Sequence, residues 1–413
     1  MLGRLVNMSL RGATLSSRFV LLFFLARFMK PEDVGEYGLV CATIGYAMFV
    51  LGLDFYTYST RELIASERGR WPRLLKDQAA FLLVCYAMTL PAILLVIELT
   101  GAIPWSAVGW FLVLLILEHL SQEFNRLLIA MSRPLLASVV LFVRSGAWCI
   151  VFLIAMIAVP EVRTLGWLFA SWTCGTAVAV GIALFTLARL DWPSVGKGVD
   201  WPWIRRGLKV ALPLLVATLA LRVLFTADRY LERFVAGDEL LGVYTFYVGV
   251  AGALMGFLDA AVFSFLSPRL IAVVRRGDIE DTARAFNQFR DATVRWLVGL
   301  ATLCAIAIEP VLALIGKPIY MAHLQMFYLT LAGSCLFCLS MVPHYGLYAH
   351  REDAAIIAVN FLGGATFLAA FFVFASVLHE LAVPVALICA FAFVCVGKFV
   401  MYRRLCAVRL AEA

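Results

Sequence analysis

The sequence predicts an all-α polytopic membrane protein, with about twelve transmembrane helices in two six-helix bundles related by pseudo-twofold symmetry. Three observations carry this. Hydrophobic residues make up 63% of the chain and charged ones 15%, with mean hydropathy +0.93. A soluble domain keeps roughly a quarter of its residues charged to face water. Apolar stretches of membrane-crossing length, about 20 residues, recur along almost the whole chain. The short loops between them alternate between arginine-rich and arginine-poor.

The expected spans of the first half are 10–29, 35–55, 78–97, 106–128, 135–158 and 165–187. Those of the second half are 210–227, 242–266, 292–315, 324–347, 354–378 and 383–401. No loop between them is long enough for a separate catalytic domain. With the N-terminus placed in the cytoplasm, about 25 Lys and Arg fall on the cytoplasmic side, from Arg4 and Arg11 through Lys197 to Lys398, Arg403, Arg404 and Arg409. The other side holds about five: Lys30, Arg163, Arg229, Arg233 and Lys317. Both termini are therefore expected in the cytoplasm. This distribution accounts for the net charge of +7, which is not a nucleic-acid signal. The first span is interrupted by Arg18 and Arg27 and lacks a small-residue cleavage site, so it reads as a retained span. Cys335 and Cys338 form a C-x-x-C on a span without a second ligand pair and read as small core residues. No metal or cofactor is expected.

A weak repeat divides the chain. Arg27-Phe28 precedes Gly35-x-Tyr37, and Arg233-Phe234 precedes Gly242-x-Tyr244. Each pair lies just after the first span of a six-span half. Leu75-Lys76-Asp77 and Phe289-Arg290-Asp291 form a second echo before the third span of each half. The expected domains are an N-terminal bundle over 1–190, an interfacial linker over 191–207 and a C-terminal bundle over 208–413. Pro193, Gly196, Gly198 and Pro202 mark the linker. Its Trp192, Trp201 and Trp203 suit a lipid interface. The basic stretches 60–76 and 269–290 read as interfacial helices on anionic headgroups, or as docking sites for a cytoplasmic partner.

The string Lys30-Pro31-Glu32-Asp33-Val34-Gly35-Glu36-Tyr37 resembles the loop after span 1 of polysaccharide flippases. Ala227-Asp228-Arg229-Tyr230 followed by Gly242-Val243-Tyr244 resembles their loop after span 7. With twelve spans in two halves, the chain resembles the Wzx-like oligosaccharide (O-antigen) flippases of the multidrug/oligosaccharidyl-lipid/polysaccharide (MOP) exporter superfamily. That resemblance implies a V-shaped, MATE-like pair of bundles with alternating access in the bacterial inner membrane. It implies an undecaprenyl-diphosphate-linked oligosaccharide as substrate, for O-antigen, capsule or exopolysaccharide. A polysaccharide polymerase or export machinery is the implied partner, and a monomer the default state.

Ionisable residues inside spans are costly, so they mark cavities or pairs. Arg18, Arg144 and Arg222 sit well inside spans 1, 5 and 7, and Arg27 nearer the outer end. Guanidinium forks bind phosphate oxygens bidentately and stay protonated when partly buried, which suits a diphosphate. The alternative is pairing with Asp54, Glu118, Glu123, Asp259 or backbone carbonyls. On span 4, Glu118, Gln122 and Asn125 share one helical face beside His119. They read as a cavity wall, or as a helix–helix hydrogen-bond network. Asp259 is the candidate for coupling to a cation or proton, or else pairs with Arg222. Pro213, Pro310 and Pro343 are expected to bend their helices.

The function expected is a flippase that breaks no bond. A multidrug antiporter of the same superfamily is disfavoured by in-span arginines that would repel cationic drugs. A polyprenyl-linked glycosyltransferase, polymerase or ligase would need a larger outward loop. A non-transporting assembly partner of a polysaccharide synthase is the third alternative.

Overall fold

The computed structural model describes residues 2–192 and 198–411. Pro193, Gly196 and Lys197 lie outside the described residues, as do the side chains of Arg4, Arg11 and Arg409. The described residues form helices throughout and no strand. In order they are α1 Leu2–Phe28, α2 Pro31–Gly52, α3 Tyr56–Ala65, α4 Trp71–Thr100, α5 Trp105–Ala130, α6 Pro134–Phe142, α7 Trp148–Ala158 and α8 Leu165–Leu187. There follow α9 Trp201–Leu258, α10 Ser264–Arg276, α11 Ile279–Ile315, the short α12 Pro318–Ala322, α13 Leu324–Ala349, α14 Asp353–Leu378 and α15 Ala382–Ala411. With lipid as solvent, backbone groups must bond within the segment, and a helix does this locally.

Among the described residues, nine helical segments are long and apolar enough to cross a membrane. Two of them are too long for one crossing. Trp201–Arg276 has 76 residues and Asp353–Val408 has 56, against the ~20 that one crossing takes. The first breaks at Gly237, whose φ of 82° is open to glycine. The second breaks at His379, with φ 45°. Counting each as two and adding the 27-residue α1, which carries Arg18 and Arg27, gives the twelve spans expected.

Helix ends follow local chemistry. Pro31 opens α2, with Glu32 and Asp33 in its first turn, where they favour the positive end of the helix dipole. Asp278 caps α11 by accepting from Asp281 N at 2.9 Å. Gly101, Gly277 and Gly316 end α4, α10 and α11 in the left-handed region. Pro213, Pro310 and Pro343 lie inside helices, and so do Pro91 and Pro268.

The chain forms two compact units. Unit 1 holds residues 1–29 and 36–222, and unit 2 holds 30–35 and 223–413. Helix α9 therefore passes from one unit to the other along its length, and the first turn of α2 belongs with the second. In unit 1, α5 packs along α8, and α1 against α6. In unit 2, α15 packs along both α13 and α14. Cys335 and Cys338 are free thiols on α13.

Trp203 departs from the lipid-interface expectation. It is 4% exposed, packed among Phe55, Tyr58 and Phe81. Its ring lies 5.3 Å from Phe55 and 5.5 Å from Tyr58. Asp200 caps this start of α9 by accepting from Trp203 N at 2.9 Å. Trp201, by contrast, is exposed.

Candidate functional site

Unit 1 holds two polar clusters inside an apolar bundle. The first is built around Glu118 on α5, 2% exposed. Its carboxylate accepts from Arg144 Nε at 2.6 Å, Trp172 Nε1 at 2.7 Å and Thr176 Oγ1 at 3.1 Å, and the second Arg144 nitrogen also contacts it. A buried carboxylate is tolerable only with this degree of pairing. Arg144 lies in a π-helical turn, Val143–Ala147, that joins α6 to α7. Such turns shift side chains relative to a regular α-helix and recur at functional sites. Trp148 Nε1 donates to the Arg144 carbonyl at 2.9 Å and stacks on Trp172, ring centroids 6.0 Å apart. Gly175 makes room for this, since a Cβ there would lie 2.5 Å from Trp148 Cβ.

Arg18 borders the same cluster from α1. Its Nε donates to Ser145 O at 3.3 Å and a terminal nitrogen to Ser145 Oγ at 3.1 Å. It lies close enough to act electrostatically on Glu118. The Glu118–Arg144 pair is neutral as a unit, so Arg18 leaves the cluster with one net positive charge. Its side chain is exposed and only part of its five-donor fork is used.

The second cluster lies where α2 turns into α3. Leu53 and Asp54 both take left-handed backbone, φ 48° and 51°, a costly conformation for residues with a Cβ. Asp54 is 2% exposed, and Arg126 and Arg222 are both near enough to act on its carboxylate. Arg126 donates to Glu123 at 2.6 Å and lies 3.3 Å from the centre of the Tyr56 ring. Gln78 donates to the other Glu123 oxygen at 3.0 Å. Arg222 sits 4.8 Å from the centre of the Phe49 ring. Two carboxylates and two guanidiniums balance here, with aromatic faces supporting both cations.

The α5 polar face is divided among neighbours. Glu118 bonds toward α7 and α8, and Asn125 donates to Ala137 O on α6 at 2.6 Å. His119 Nδ1 lies 2.6 Å from the Tyr86 hydroxyl on α4. A Cβ on Gly52 would come within 2.3 Å of His119 Nε2, so the imidazole occupies space that a glycine leaves. Gln122 is partly buried. Arg27 is exposed, 5.7 Å from the Phe28 ring centre.

In unit 2, the two G-x-Y motifs meet through their glycines. A Cβ on Gly242 would lie 1.8 Å from the Pro31 carbonyl oxygen, and one on Gly35 would lie 3.0 Å from both Asp238 O and Gly242 N. Backbone thus packs on backbone. Tyr244 donates to Asp228 at 2.8 Å, and Arg229 pairs with Asp228 at 3.0 Å. Tyr37, past the unit 2 turn of α2, packs on Trp172 in unit 1. Asp259 is exposed and begins a second π-helical turn, Asp259–Phe263. Glu232 is 0% exposed, and neither carboxylate oxygen has a hydrogen bond among the described residues.

Sequence reading placed Lys398 with the cytoplasmic cations, and the structure corrects this. Lys398 is 2% exposed in α15, with its Nζ 3.4 Å from His344 Nδ1 on α13. The signal was its position inside the expected span 383–401. Trp172, Thr176, Ser145, Tyr56, Tyr86 and Gln78 also belong to the polar clusters, and nothing local in the sequence distinguished them.

A family model described as "Polysaccharide biosynthesis protein" matches residues 3–272. No curated protein sequence matches the chain. Among solved structures, the chain is similar to an inward-facing multidrug resistance MATE family transporter of the MOP superfamily. The TM-score is 0.77 at 13% identity, covering 99% of both chains. It is also similar to a MATE protein in complex with MaL6, with TM-score 0.65, 13% identity and coverage of 99% of this chain and 96% of that one. An outward-facing MATE transporter of the MOP superfamily gives TM-score 0.64 at 12% identity, with coverage of 99% and 96%.

Proposed function

The chain belongs to the polysaccharide biosynthesis protein family, and from that premise we propose that it is a flippase for an oligosaccharide carried on a polyprenyl diphosphate. It is a multi-pass membrane protein with the fold of MATE transporters. The reading places it in a bacterial inner membrane with both termini in the cytoplasm, serving O-antigen, capsule or exopolysaccharide synthesis. A six-helix bundle over 1–190 and another over 208–413 would alternate access, joined by the 191–207 linker.

The observation that carries the reading is the charge balance around Arg18. Glu118 neutralises Arg144, while Arg18 stays exposed and anchored by Ser145. A positioned guanidinium with spare donors suits a diphosphate oxygen. Arg222 and Arg27, both exposed, are the other proposed phosphate contacts. Arg144, Glu118, His119, Gln122 and Asn125 would shape the wall, and Asp259 would take a coupling cation or proton. The same net positive charge disfavours a cationic drug as substrate.

The test is leaflet-specific access to a polyprenyl-diphosphate oligosaccharide in proteoliposomes. Arg18→Ala is expected to lower the rate at least about tenfold, the effect of losing one charge-assisted hydrogen bond, with melting temperature unchanged. Wild-type transport in a folded Arg18→Ala protein would remove Arg18 from the site. Absence of transport by wild type across several glycans would shift the reading to an antiporter or assembly partner.

A further inference from the structure

Unit 1 carries a groove between α6 and α8 that the proposed transport site does not use. Its volume is 530 Å³, and its lining includes Arg133, Leu136, Gly181, Ile182, Phe185 and Arg189. Arg133 stands in the turn before α6, where Ser132 reverses the chain at φ 60°. Arg189 follows the end of α8, its guanidinium 4.4 Å from the Phe185 ring centre. Both arginines are exposed, and among the described residues neither has a carboxylate within salt-bridge distance. Asp191, two residues on, leaves the local balance positive. Below them the walls are apolar. A Cβ on Gly181 would meet nothing within 4 Å, so its missing side chain deepens the groove.

We propose that this groove binds one anionic phospholipid, its phosphate held between Arg133 and Arg189 and one acyl chain lying over Gly181 and Ile182. Charge complementarity selects the headgroup, because paired guanidiniums at a membrane surface attract anionic lipid. The neighbouring Leu135, Leu184 and Phe185 are 45%, 50% and 63% exposed, so the groove opens to lipid tails rather than to a packed helix. A soluble anion would not need that apolar wall. A glycan-bearing lipid would need free polar groups, yet the lining hydroxyl, Thr186 Oγ1, already donates to Ile182 O at 3.0 Å.

The test is native mass spectrometry of the full chain in micelles with defined mixtures of phosphatidylglycerol and phosphatidylcholine. Wild type is expected to retain one phosphatidylglycerol. Arg133→Gln and Arg189→Gln should each weaken retention about fivefold, as about 1 kcal/mol per arginine implies. Gly181→Leu, which fills the groove and keeps both charges, should abolish retention. Arg403→Gln with Arg404→Gln, exposed on α15, serves as the control and should change nothing. All these positions are exposed, so melting temperatures should stay at the wild-type value. Retention by Gly181→Leu equal to wild type, or equal losses in the control, would overturn the site in favour of diffuse attraction. Displacement of the phosphatidylglycerol by a polyprenyl diphosphate at equal concentration would overturn the assignment to phospholipid.

Discussion

At the residue scale, the value of each buried charge depends on its partner. Glu118 and Arg144 form a pair in which either member alone would be stranded in an apolar interior. Glu118→Leu or Arg144→Met is expected to cost about 3–5 kcal/mol, while the double substitution should cost far less. Thermal unfolding in detergent, arranged as a double-mutant cycle, measures the coupling; additive losses would refute it. Lys398 presents the opposite case. Its hydrogen-bond contact is a histidine, and among the described residues no carboxylate pairs with it. Lys398→Met keeps the volume and removes the desolvated ammonium, and should leave the melting temperature level or raise it. A fall of more than a few degrees would show that the ammonium is a stabilising element.

At the scale of elements, glycines set how closely helices approach. Gly242→Ala places a methyl group 1.8 Å from the Pro31 carbonyl oxygen, so backbone must move. The expected loss is about 3 kcal/mol or more. Gly252→Ala, on the same helix with nothing within 4 Å of its new Cβ, should stabilise by up to about 1 kcal/mol. Equal behaviour of the two in thermal melts would dismiss the close approach. The α11–α12 connection contributes a pH effect. Burial pushes Lys317 below its ordinary value, although Asp33 and Glu32 on the first turn of α2 pull it back up. Between the lowered value and the usual lysine range, the unfolded chain binds more protons than the folded one. Stability should therefore rise with pH across that alkaline window. Lys317→Gln should flatten the rise, as chemical denaturation at stepped pH would register.

At the scale of the molecule, two units share twelve crossings, and the topology expected from the sequence puts most loop Lys and Arg on one face. The bias predicts that epitope tags at both ends are cleaved only by protease on the cytoplasmic side. A tag at either end reached from the other side would reverse the orientation. The expected span count survives in the structure because hydropathy needs no neighbour. The joins did not show in the same way. Helix α9 runs through 58 residues, with its break at a single glycine, and the first turn of α2 groups with the second unit.

The candidate site was only half legible for a related reason. The sequence identified Arg18, Arg144, Arg222, Glu118 and Asp259 because a charge in an apolar run stands out by itself. It could not say which of them are neutralised. The partners of Glu118 lie 26, 54 and 58 residues away, on helices whose rotation is set by packing. It likewise could not foresee that Arg144 and Asp259 sit in π-helical turns, or that Lys398 points inward. Composition and loop charge alone determined the solvent, the helical class and the number of crossings, since each depends on residues near in sequence. Charge pairing, burial and the glycine-to-backbone contact were decided by the tertiary structure, since each needs two helices brought side by side at one height and one rotation.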